Sequence, residues 1–109
     1  MQVISPLEVE RMLVAIGDDL ESLTEEYARA EDRLAHAEAA HKRAWLMAYH
    51  EATGSNPVKE KRADVECMDE WEDKNLRTTM VRILKEKMRT SHARLDVART
   101  LAANLRKQT

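Results

Sequence analysis

Helix-breaking residues are nearly absent from this chain except at its midpoint. Of its two glycines and two prolines, one of each falls in Thr53-Gly54-Ser55-Asn56-Pro57. Gly54 can close a helix in the left-handed conformation without a Cβ penalty. Asn56 can accept an orphan N–H of the next helix, and Pro57 suits a first helical position, where its missing N–H is no loss. A stop signal followed at once by a start signal predicts a tight turn at 54–56. Short helix–helix connections make the two helices antiparallel neighbours.

The flanking segments carry the matching pattern. Ser5-Pro6-Leu7-Glu8 reads as a helix start with a capping box. A seam with alternating four- and three-residue steps then runs Val9, Leu13, Ile16, Leu20, Leu23, Tyr27, Ala30, Leu34, Ala37, His41, Ala44, Ala48. This 3.5-residue repeat predicts a first helix over 6–53, ~70 Å long, in a left-handed coiled coil. Toward the turn the seam falls to alanine, which buries little apolar area. The second helix is expected over 57–107, with Val81, Leu84, Met88, Ser91, Leu95, Ala98, Ala102 and Leu105 on its seam. Met68, Trp71 and Leu76 join that seam only by a change of phase, so a stutter is expected between residues 72 and 80. A turn centred near residue 55 sets Leu13 opposite Val97 and Leu34 opposite Leu76.

Composition agrees with a narrow seam. Charged residues are 35% of the chain, aromatics 4%, and Phe is absent, too little to fill a thick core. Residues 5–38 hold ten acidic and three basic side chains, and residues 74–107 ten basic and two acidic ones. Antiparallel pairing lays the acidic half against the basic half, which selects orientation more than it adds stability. The fold class expected is all-α: a long antiparallel two-helix hairpin (coiled coil), residues 1–109 as a single domain, dimerising into a four-helix bundle. The longest uncharged run, Ala44 to His50, is too short to span a membrane, and the N-terminus has no signal-peptide pattern. Cys67, a lone cysteine, cannot form an internal disulfide. A cytoplasmic protein is the expectation.

Several patterns bear on chemistry. Arg82, Lys85, Arg89, Arg94 and Arg99 have the density of a phosphate-binding stripe, set against the acidity of the partner helix. Glu38 and His41 have the Glu-x-x-His spacing of di-metal helical bundles, but the second helix offers no histidine at the matching level. The alternative for His41 is a seam imidazole held by a carboxylate at the level of Glu66, Asp69 and Glu70. Cys67 has acidic neighbours, which raise a thiol's pKa and disfavour nucleophilic use. No phosphate-cradling loop or Ser/His/Asp set is evident, so neither an enzyme nor a cofactor is expected. Trp45, Leu46, Met47 and Tyr49 lie off the seam, with Met68 and Trp71 at a similar level on the other helix. One partner helix cannot bury them all, which marks a partner interface, in the first place a homodimer.

The stretch AWLMAYHEATG from Ala44 to Gly54 is followed by Val58-Lys59-Glu60-Lys61-Arg62-Ala63. A charged helix then ends in Ala98-Arg99-Thr100-Leu101-Ala102. Together these resemble a family of small helical-hairpin proteins of phages and prophages of actinobacteria and other Gram-positive hosts. The resemblance implies an accessory role by protein–protein binding, in DNA replication or recombination or on a host protein. Nucleic-acid binding is the alternative reading, and a dimeric di-metal bundle the third.

Overall fold

A computed structural model describes residues 4–108. Three helices follow one another: α1 (Pro6–Glu51), α2 (Asn56–Glu66) and α3 (Met68–Lys107). The long helices α1 and α3 pack antiparallel. The capping box at the start of α1 forms as expected. The Glu8 N–H donates to Ser5 Oγ at 3.2 Å, and the Ser5 N–H donates to Glu8 Oε2 at 3.4 Å. Two orphan donors of the first turn are thereby satisfied.

At the turn Gly54 and Pro57 stand as expected, but the expected side-chain cap of the second helix does not form. Helix α1 ends at Glu51 rather than residue 53. The Ala52 N–H is shared between the carbonyls of Ala48 (3.1 Å) and Tyr49 (3.3 Å), which tightens the last turn. Gly54 has φ of +116°, and a Cβ there would lie 3.3 Å from Val58 Cγ1. Both the conformation and the space call for glycine. The N-cap position belongs to Ser55, not Asn56, and Pro57 sits in the first turn. Asn56 is drawn off because its Oδ1 accepts the Tyr49 hydroxyl at 2.9 Å.

The expected single helix over 57–107 is divided at Cys67, whose φ of −103° and ψ of 20° leave the helical range. Hydrogen bonding continues across it: the Cys67 N–H donates to Ala63 O at 3.1 Å, and the Trp71 N–H to Cys67 O at 2.9 Å. The division is thus a local change of backbone angle that these two hydrogen bonds span. Packing accompanies it, since Ala63 and Cys67 are both buried in one cluster with Ala48, against Ala44, Trp45 and Tyr49.

Contacts group into two units, each described by itself. The terminal unit joins the chain up to Tyr27 with the chain from Ile83 onward. Its core holds Val9 and Ile16 from α1 and Ser91 and Ala98 from α3, all buried. The turn unit, Ala28–Arg82, buries Ala30, Ala37 and Ala48 from α1, with Ala63 and Cys67. On α1 every expected seam residue is buried or half-buried. On α2 and α3 the least exposed positions run Ala63, Cys67, Glu70, Lys74, Arg77, Val81, Leu84, Met88, Ser91. The four–three rhythm therefore passes through residues 72–80 with no stutter. The expectation failed because polar residues occupy the seam there and the apolar ones lie outside it. Leu76 is 58% and Val97 60% exposed, so both lie outside the seam.

Ala98, fully buried, should accept no larger side chain. Ala98→Leu is expected to destabilise the protein by about 1–3 kcal/mol through overpacking. Val97→Ala should stay within about 0.5 kcal/mol. Urea denaturation of the two variants measures the contrast, and the reverse order would misplace the seam.

A candidate partner-binding face in the turn unit

The candidate face is built around Trp45. Its indole Nε1–H donates to Asp64 Oδ1 at 2.8 Å, tying α1 to α2. Its ring stacks on Tyr49, with centroids 5.3 Å apart and planes 13° from parallel. Tyr49 is fixed in turn by its hydroxyl bond to Asn56 and by the Lys59 ammonium 5.6 Å from its ring centre. A half-buried tryptophan needs a partner for its N–H, and Asp64 is that partner.

Beside this anchor runs a cleft lined by His41, Lys42, Trp45, Leu46, Asp64, Met68, Trp71 and Lys74. Its apolar members stay open to solvent: Leu46 is 51%, Met68 46% and Trp71 47% exposed. Four of the six residues expected at an interface thus meet here. Tyr49 instead packs behind Trp45 against the small-residue core, and Met47 is exposed outside the lining. Sequence reasoning passed over Lys42, Asp64 and Lys74. Asp64 had a usable signal, because an interfacial indole calls for an acceptor on the neighbouring helix.

The other candidates are placed as follows. Glu38 and His41 line an adjoining depression with Lys42 and Lys74, whose ammonium groups oppose a bound cation. Among the described residues no group of three or more His, Cys, Asp or Glu could hold a metal ion. Neither Glu66, Asp69 nor Glu70 forms a hydrogen bond or ion pair with His41, contrary to the expectation for a seam imidazole. Glu70, instead, leaves Oε2 buried without a hydrogen-bond partner. Cys67 is buried, and burial, then Glu70, Glu66 and Asp64, push its thiol pKa up.

The basic side chains Arg82, Lys85, Arg89, Arg94 and Arg99 are all exposed on α3. Arg89 pairs with Glu86 at 3.2 Å on its own helix. Arg62–Glu66, Arg77–Asp73 and His36–Asp32 likewise join residues one turn apart. These pairs each brace one helix and do not lace the acidic helix to the basic one. No described helix is long and apolar enough to cross a membrane. No protein-family model matches the chain, and no curated protein or solved structure is significantly similar to it.

Two measurements probe the core behind this face. Glu70→Leu removes the unsatisfied buried oxygen and should raise stability by about 1–3 kcal/mol; a loss of stability would mean that the carboxylate is bonded in solution. Because burial raises the Cys67 pKa, its neutral thiol adds stability below the ordinary thiol value. That contribution disappears as pH rises through the raised folded value. Alkylation of the native protein at pH 8 should therefore be slower than in denaturant. Equal rates would contradict the shift.

Proposed function

We propose that this chain is a non-enzymatic interaction protein that binds another protein through the Trp45 cleft. One observation carries the reading: Leu46, Met68 and Trp71 lie open around a tryptophan already fixed by a hydrogen bond and a ring stack. Apolar anchors held in place before binding lose little freedom on association, and aromatic anchors dominate protein interfaces. On the resemblance to phage and prophage hairpins, we propose an accessory role for such a binder, in DNA replication or recombination or on a host protein.

A second reading has an observation of its own. The exposed Arg82, Lys85, Arg94 and Arg99, none of them paired with an acidic side chain among the described residues, leave cationic charge for a phosphate backbone. Affinity capture from expressing cells with the wild type and Met68→Glu separates the two. Proteins retained by the wild type and lost with Met68→Glu, an untagged copy of this chain among them, support the cleft, and identical sets refute it. Nucleic acid retained by both and released by moderate salt supports the basic helix.

A further inference from the structure

One wall of the cleft has opposite charges at its two ends and apolar side chains between them. In chain order its α2–α3 wall runs Asp64, Met68, Trp71, Lys74, a span of ~15 Å at 1.5 Å per residue. Lys42 of α1 lines the same cleft and adds to its positive character. Asp64 uses Oδ1 for the Trp45 indole and remains exposed, so its charge is presented at the surface.

An acidic peptide would suit the lysines and set a carboxylate against Asp64, and a basic peptide would do the reverse. An occupant with the opposite polarity at each end satisfies both. A two-fold axis makes a surface meet its own reverse, so that residue i contacts j and j contacts i. The cleft is complementary to itself in that sense. Resting on the reading of this cleft as a protein-binding face, we infer that its occupant is a second copy of this chain. The copies pair about a two-fold axis near Met68 and Trp71, with Asp64 of each over Lys74 of the other. The apolar side chains provide the attraction, and the charges at the two ends set the register. Two turn units joined in this way form a four-helix bundle.

Sedimentation at micromolar concentration tests this with D64K, K74D and their equimolar mixture. The wild type should be a dimer. Each variant alone faces like charges at both ends and should dimerise about tenfold or more weakly. In the mixture, a chain with lysine at both positions meets a chain with aspartate at both. Opposite charges then face each other at each end, so the dimer should return. A mixture no tighter than its components overturns the register. A monomeric wild type overturns self-association altogether, while the Met68→Glu capture still judges the cleft on its own. A second readout does not rest on charge: D64C and K74C chains, both carrying C67A, are mixed and mildly oxidised. A disulfide-linked heterodimer is expected, and its absence in a mixture that dimerises overturns the register.

Discussion

Two helices have only one stripe each to bury against the other, and that limit governs the rest of the structure. In the turn unit the stripe is built from Ala30, Ala37, Ala48, Ala63 and Cys67. Small side chains let helix backbones approach but remove little apolar surface from water each. Much of the larger apolar surface then lies outside the seam. Leu46, Met68 and Trp71 are where the turn unit carries them, and they are half-exposed in consequence. A thin seam and an open apolar face are two sides of one arrangement.

The seam also takes in polar residues. Glu70, Lys74 and Arg77 hold core-facing positions on α3. Long cationic chains can lie along such a seam with their stems covered and their charges in water. A glutamate is shorter, and Glu70 leaves one oxygen buried and unbonded. Polar groups at seam positions weaken a coiled coil while restricting its alternatives, because a slid register exposes or buries the wrong groups. Arg77 shows how such a residue is kept tolerable, with its guanidinium 3.4 Å from Asp73 one turn back.

Much of this architecture was legible in the residues. The glycine and proline of the turn, the Ser5–Glu8 cap and the α1 seam stand where the pattern put them, because each rests on local geometry. Cys67 was not legible as a break, since no helix breaker marks it and tertiary packing governs there. The seam of α3 was misjudged between residues 72 and 80 because hydrophobicity was taken as the guide to burial. Leu76 is exposed and Arg77 half-buried, against intrinsic preference. At the candidate face the aromatic cluster was visible as surplus hydrophobicity. Its polar frame, Lys42, Asp64 and Lys74, was not, since charged residues are common all along the chain and only the fold shows which of them share a cleft.

The position of the turn has a consequence for how the chain reaches its fold. Residues near the turn, such as Ala48 and Ala63, close a short loop and meet at small entropic cost. Val9 and Leu105, which line one cleft of the terminal unit, come from opposite ends of the sequence. A hairpin of this kind orders most readily from its bend outward, each new turn of helix shortening the loop that remains for the next pair. Folding is therefore expected to run from the alanine-rich seam, where closure is easy and burial small, to the Val9 and Ile16 end, where closure is hard and burial larger. Along α1 the buried seam residues grow in the same direction, from Ala48, Ala37 and Ala30 to Ile16 and Val9, which places the stronger attraction where the chain has furthest to travel.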